Sequence, residues 1–383
     1  MTERSIVEAA ARLRRHGEPH LVATVVATNG PAYRRPGARM ILTRFRWVAG
    51  NVTGGCMEGD MASSAWADTR NGATKLVTYD ASQIVDDDDL RSAFGLGEGT
   101  VEVLLERSSG LPGRLDALEV AARCLGKQQR GAVATIFETD GDPRVGARIA
   151  MLASESGLEI LEEADPFTGA LRDRLIGELR SAMESGSCAS KLLETSRGTV
   201  RVLVEAIVPP PTLFVFGTGH DAVPIARLAH DLGWCVVICA KDPRHATRDR
   251  FTMADDILVG DPAQFRVRID AADRAVAVII GHDNARDRDV LGILLDTQVR
   301  FISVCGPARR TSRMLTELGR AGDARLHATA DIGIDAPQEA ALSVLAEIQD
   351  ALKTPMVVEL PSVRTTASPP GRPSAVLAVA AAV

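Results

Sequence analysis

Residues 50–60, GNVTGGCMEGD, set a thiol, Cys56, directly after Gly54 and Gly55 and two residues before Glu58. A glycine pair permits the backbone torsions of an anion-binding nest. The run from Met57 to Arg70 predicts a helix with Cys56 near its N-terminus, where a thiolate is stabilised. Glu58 and Asp60 add negative charge there and oppose extreme acidity. Three readings stay open: a sulfur-carrying nucleophile, a soft-metal ligand, or a buried structural thiol.

A second constellation begins at Thr212, where an apolar strand runs into Gly217-Thr218-Gly219-His220-Asp221-Ala222, a GxGxxA pattern. The first glycine suits a tight turn, the second lets a ligand approach the backbone, and the alanine lets the next helix pack closely. That helix offers free N–H groups and a positive dipole end to a phosphate. Asp242, twenty residues beyond Ala222, stands where a ribose-binding acid would be, and equally where a turn residue would pair Arg244. His220 faces the ligand side of the loop. His282 and Asp283 follow another strand, at a carboxyl end where open α/β sheets place their sites. They could bind phosphate, move a proton or hold a metal, or form a turn with a helix cap. Arg309 and Arg310, after Cys305, could clamp an anion or form a solvated patch. Asp86 to Asp89 read as a solvated loop, with magnesium beside a ligand phosphate as the sharper alternative.

Positioning these residues takes more than one domain. The block Val22–Gly30 followed by Gly37–Leu42 is echoed by Val133–Gly141 followed by Gly146–Leu152, and Gly99–Glu106 by Gly198–Glu205. This predicts a duplicated α+β module over residues 1–208, with repeats at 1–110 and 111–208. The second repeat has no counterpart of Gly54-Gly55-Cys56, which favours a task special to the first. Pro209 to Pro211 mark a boundary. Strands expected at 234–240, 256–259, 275–280 and 300–304, alternating with helices, predict a doubly wound parallel sheet over 209–353. An amphipathic helix at 337–353 closes it, and a Pro/Ala-rich tail at 354–383 is expected to pack loosely.

Composition narrows the partners. The chain has 383 residues, 45% of them hydrophobic, and a formal charge of −6, so broad attraction to nucleic acid or anionic lipid is not expected. No apolar run reaches the roughly 18 residues of a membrane span. Six dispersed cysteines without a CxxC pair fit a reducing cytoplasm. Cys235 and Cys239, two apart in facing, read as strand core.

Taken together, GNVTGGCMEGD, the FGTGHDAVPIARLAHDLGW run, Ile280-Gly281-His282-Asp283 and the closing LHATADIGID with PQEAALSVLAEI resemble the XdhC/CoxI family over about residues 5 to 350. These are accessory proteins of xanthine dehydrogenase and aerobic carbon monoxide dehydrogenase. The resemblance implies a chaperone rather than an enzyme: it would bind the molybdenum cofactor, molybdopterin in mono- or dinucleotide form, and protect it. It would then present it for sulfuration and insert it into the apo form of a molybdenum hydroxylase. Further implied partners are a cysteine desulfurase and a second copy of the chain. The family's pattern falls on Gly54, Gly55, Cys56 and Glu58, on Gly217, Gly219 and His220, and on Gly281, His282 and Asp283. The arrangement expected is a cofactor in a cleft between module and Rossmann domain, with Cys56 near the metal or its sulfur ligand. Glu98 stands where the family often carries a second cysteine, so Cys56 would act as a single thiol. Gly281 replaces a threonine, and Lys241 separates the second strand from Asp242. The alternative reading is an NAD(P)-dependent oxidoreductase using His220 or His282 as acid/base.

Overall fold

A computed structural model describes residues 2–30, 32, 34–53, 56–80, 99–108, 113–154, 156–163, 167, 169–195, 198–281, 283–320, 322–329 and 336–353. The expected tail, the acidic run Asp86 to Asp89 and Glu98 lie outside them.

The first 207 residues write one element order twice. Helix α1 (Glu3–Arg15), strands β1 (His20–Asn29), β2 (Arg39–Leu42) and β3 (Trp47–Gly50), helix α2 (Cys56–Asp68), and strands β4 (Lys75–Asp80) and β5 (Thr100–Ser108) form the first round. The second is α3 (Ala117–Gly126), β6 (Gly131–Thr139), β7 (Arg148–Ser154), β8 (Gly157–Glu162), α4 (Gly169–Ser185), β9 (Cys188–Thr195) and β10 (Gly198–Ile207). Each round makes a five-stranded antiparallel sheet, ordered β3-β2-β1-β5-β4 and β8-β7-β6-β10-β9.

A matched irregularity joins the two sheets. The pairing of β1 with β5 skips Val26, and that of β6 with β10 skips Phe137. A bulge re-aims the extra side chain out of the ladder. Here both extra residues turn inward, and Val26 and Leu104 pack against Phe137 and Leu203 in one buried cluster. Helices α1 and α3 fill the remaining space, with Ala10, Leu13, Ala121 and Cys124 buried among Val22, Ile41, Val133 and Ile207. α1 shows Ile6, Val7, Ala10 and Leu13 buried on one face, the three-and-four spacing of an amphipathic helix.

Beyond Pro211 the chain alternates strand and helix: β11 (Thr212–Phe216), α5 (Ala222–Asp231), β12 (Cys235–Ala240), β13 (Asp256–Val259), α6 (Arg266–Asp270), β14 (Ala275–Ile279), α7 (Asn284–Leu295), β15 (Phe301–Cys305), α8 (Ala308–Glu317), β16 (Leu326–Thr329) and α9 (Pro337–Ala351). The six strands are parallel in the order β13-β12-β11-β14-β15-β16. This is the order of a Rossmann sheet, with its switch point between β11 and β14. Strands β11 and β14 are buried throughout, as a sheet covered on both faces requires. α5 and α9 cover one face and α7 the other. Cys239 is buried in that core and Cys235 packs against it, as their spacing predicts.

The ties between repeats and Rossmann sheet lie at the sheet's amino edge. Arg4 donates to Trp234 O at 3.1 Å and pairs with Asp255, the residues just before β12 and β13. Arg130 reaches Asp273, before β14, at 2.8 Å. Gly233 turns at φ +82°, and a Cβ there would sit 2.7 Å from the Thr2 side chain. Thr2 is also the N-cap of α1, so the start of the chain rests on the turn that follows α5. Among the described residues no helix is long and apolar enough to cross a membrane.

Candidate functional site

The switch point builds a crevice from backbone. Gly217 leaves β11 at φ +146°, and a Cβ there would meet Ile280 O at 2.8 Å. Only glycine fits such torsions and such an approach. The loop therefore lies against the end of β14, with Gly217 on Ile280. Arg250 braces the loop from outside, donating to Thr218 O at 2.8 Å and His245 O at 2.6 Å. His220 is exposed. At the start of α5, Asp221 makes no side-chain capping bond, but the free N–H groups expected there are spent on the loop itself: Ala222 N donates to Gly219 O and Val223 N to His220 O, both at 3.3 Å, and Pro224 follows with no N–H.

Across the crevice Arg310 acts as an internal strut. It donates to Asn284 Oδ1 at 2.8 Å, Cys305 O at 3.1 Å and Gly281 O at 3.2 Å, and pairs with buried Asp287. The free anion clamp expected of Arg310 is thus replaced by a tie among the ends of β14, β15 and α7. The same network accounts for Gly281. A Cβ at that position would lie 2.2 Å from Asp287 Oδ1, so a threonine there cannot coexist with this carboxylate in place.

Two expected ligand contacts carry structural bonds instead. Asp283 caps α7, accepting from Ala285 N and Arg286 N at 3.2 Å. Asp242 accepts from Arg244 N at 2.9 Å and from Arg244 Nε at 2.9 and 3.0 Å, which holds its carboxyl low, at about 2. A ribose hydroxyl at Asp242 would have to displace Arg244. His282 lies outside the described residues.

In the first repeat Cys56 is the opening residue of α2, one position earlier than the helix its sequence predicts. Gly54, Gly55 and the Cys56 side chain lie outside the described residues. Glu58 is buried and turns backward, accepting from Thr53 N at 2.9 Å and Thr53 Oγ1 at 2.7 Å. This resembles a capping box, and it pins the chain on both sides of the glycine pair. Glu58 therefore closes the loop rather than facing a ligand, and Thr53, buried at its other end, is the partner that sequence reading missed. The ties of Arg4 and Arg130 run to the amino edge of the Rossmann sheet, opposite the Gly217 crevice. They do not build the expected cleft between Cys56 and that crevice.

The other thiols are held as thiols. Burial pushes Cys124 and Cys305 up to about 12 and Cys235 up to about 11, and raises Cys188 and Cys239 further. Cys188 is exposed as a residue, yet its Sγ tucks 3.2 Å from Pro36 O. Among the described residues no group of three or more His, Cys, Asp or Glu is placed to hold a metal ion.

Comparison with known proteins gives two family matches: the XdhC Rossmann domain over residues 213–348, and the XdhC and CoxI family over residues 13–80. A probable xanthine dehydrogenase subunit of Bacillus subtilis is 27% identical over 344 residues, covering 89% of this chain and 96% of that protein. The protein YqeB of Escherichia coli is 28% identical over 159 residues, 39% of this chain and 29% of its own length. The crystal structure of a xanthine dehydrogenase from Bacillus halodurans superposes with a TM-score of 0.70 at 24% identity, covering 97% of this chain and 98% of that one.

Proposed function

This chain belongs to the XdhC and CoxI family, and from that premise we propose that it binds the molybdenum cofactor and delivers it to an apo molybdenum hydroxylase of the xanthine dehydrogenase or carbon monoxide dehydrogenase type. The observation that carries the reading is the switch-point crevice, in which Gly217 packs on Ile280 O and the Gly217–Gly219 backbone forms a wall with no side chain at either glycine. The relatives named for xanthine dehydrogenase span nearly the whole chain, which supports a task tied to that class of enzyme.

In this reading the cofactor is cargo. Its phosphate lies against the Gly217–Gly219 loop, where the backbone can approach an anion without a side chain between. His220 stands exposed at the crevice mouth, His282 is assigned to the cargo by the family pattern alone, and Asp242 meets a ribose only if the cargo is the dinucleotide form. Gly54 and Gly55 supply backbone donors, Glu58 holds their loop closed, and Cys56 contacts the molybdenum or its sulfur ligand. Protection, presentation for sulfuration by a cysteine desulfurase, and insertion into the hydroxylase follow in that order. We assign this work to the cytoplasm, and the chain to a carrier rather than a catalyst.

Each contact has its own test. The full chain is purified from cells making molybdopterin, and small molecules carried with it are identified by mass spectrometry. Wild type should carry the pterin. Gly217→Val should lose it, because the added side chain collides with Ile280, and Cys56→Ser should lose the sulfurated form. An empty wild-type protein would overturn the proposal. NADH or NADPH bound with turnover of a carbonyl substrate would replace it by the oxidoreductase reading.

A further inference from the structure

One cavity is lined by residues of neither loop. It has a volume of about 670 Å³ and opens among the end of α1, strands β1, β5 and β7, and the segment before α3. Small-molecule sites commonly fall in this size range. Its counterpart on the other side of the repeat, around Arg39 and Glu205, measures only about 270 Å³.

His20 makes the two sides unequal. Aligning Val22 with Val133 puts His20 opposite Gly131, so the second repeat has no imidazole here. His20 lines the large cavity and is 1% exposed. Its Nδ1 lies 3.1 Å from Glu18 O, and a carbonyl only accepts, so Nδ1 carries the proton. Nε2 is then a buried acceptor, and it has no partner among the described residues. Burial holds the ring's pKa below its ordinary value, against the Glu18 carbonyl bond. Arg14 of α1 lowers it further, while Asp116 before α3 and the Glu18 carboxylate raise it. Ser108 of β5 faces His20 across the ladder.

The cavity is also lined by an exposed arginine, Arg114, that forms no ion pair among the described residues. Arg14 is paired with Asp116, and Arg148 with Glu106. Arg114 donates to Gly72 O at 3.2 Å. Burial, and Arg144 after it, lower its pKa, against the carboxylates of Glu163 and Glu106.

We propose that this cavity binds a phosphomonoester, a small molecule bearing a terminal phosphate. A phosphate monoanion has what the wall lacks: a charged oxygen for Arg114 and a P–OH that donates to His20 Nε2. Sulfate has the charge without the proton, and an uncharged alcohol has the proton without the charge. One proton is shared between phosphate and imidazole. With a second phosphate pKa of about 6, affinity falls about tenfold per pH unit above it, and it falls again at acid pH once the free His20 ring takes up a proton of its own. The site is separate from Cys56 and the crevice, and it does not rest on the function proposed for them.

Calorimetric titration of the full chain with ribose 5-phosphate, inorganic phosphate and sulfate tests this. Ribose 5-phosphate should bind, more weakly at about pH 8 than at about pH 6, with sulfate at least about tenfold weaker near neutrality. Arg114→Ala should weaken binding about tenfold or more, Arg114→Lys less, and Arg268→Ala, exposed on the Rossmann domain, not at all. Because His20→Ala empties a buried position and so risks misfolding, the ring is also followed directly: its 15N resonances should move on titration. Gly217→Val should leave this binding unchanged. The proposal is overturned by no heat at roughly 10 mM ligand, by equal binding in Arg114→Ala, by an unmoved His20 ring, or by loss in Gly217→Val.

Discussion

Arg39 and Glu205 form a buried ion pair, 2.7 Å apart, that joins the two halves of the duplication. Its mate runs the other way. Arg148, at the position of Arg39 in the second half, pairs with Glu106, at the position of Glu205 in the first. The flanking residues repeat the exchange. A Cβ on Gly37 would meet Cys188 Sγ and Glu205 Oε1, and one on Gly146 would meet Thr74 Oγ1 and Glu106 Oε1. Thr74 and Cys188 occupy matching places before β4 and at the start of β9. The halves therefore face each other about a local twofold, each supplying the arginine that its partner's glutamate needs.

Breaking one member of that exchange should cost more than removing both. A buried charge left unpaired destabilises by about 3–5 kcal/mol, whereas apolar replacement of the whole pair is often close to neutral. Arg39→Met should lower unfolding stability by about that amount, and Arg39→Met with Glu205→Leu should recover most of it. Urea unfolding of the three proteins measures this. A double variant as weak as the single one would mean that the pair's value is packing, not charge.

The repeated blocks made the duplication legible in sequence, because Gly-Ala-Arg and the closing Glu recur at local spacings. The crossing of the pairs was not, since a charge pattern carries no information about which distant partner it meets. The GxGxxA loop was readable for a similar local reason: strand, glycine and helix follow within a few residues. Among the roles open to Glu58, Arg310 and Asp283 the sequence does not choose, because each carboxylate or guanidinium is spent on partners a turn or a strand away. Strands β3 and β16, four residues each, are too short to show a period, and their pairing depends on the neighbours already in place.

Asp255 gives the junction between repeats and Rossmann sheet a pH signature. Its burial raises its pKa, but the bonds from Arg4 and Val236 N outweigh this and leave it below the ordinary carboxylate value. A depressed folded pKa contributes stability above the unfolded value, about 3.9, that is lost as pH falls through the folded one. Denaturant midpoints should therefore drop between about pH 5 and pH 3 in wild type and drop less steeply in Asp255→Asn. Parallel slopes would show that other carboxylates govern the acid limb.

Thiol chemistry separates Cys56 from its five fellows. At about pH 8, a group with pKa about 11 is roughly one part in a thousand thiolate, whereas an unperturbed cysteine is about a quarter ionised. Cys124, Cys235 and Cys305 are held at or above that level by burial, and Cys188 and Cys239 higher still. Cys56 opens a helix, a place that favours the thiolate. Brief iodoacetamide treatment followed by peptide mass spectrometry should find Cys56 labelled about a hundredfold faster than the rest. Cys56→Ser should remove the fast phase entirely. A fast phase that survives in Cys56→Ser, and maps to Cys188, would instead mean that the strand β9 thiol leaves Pro36 readily and that the glycine loop gives Cys56 no special reactivity.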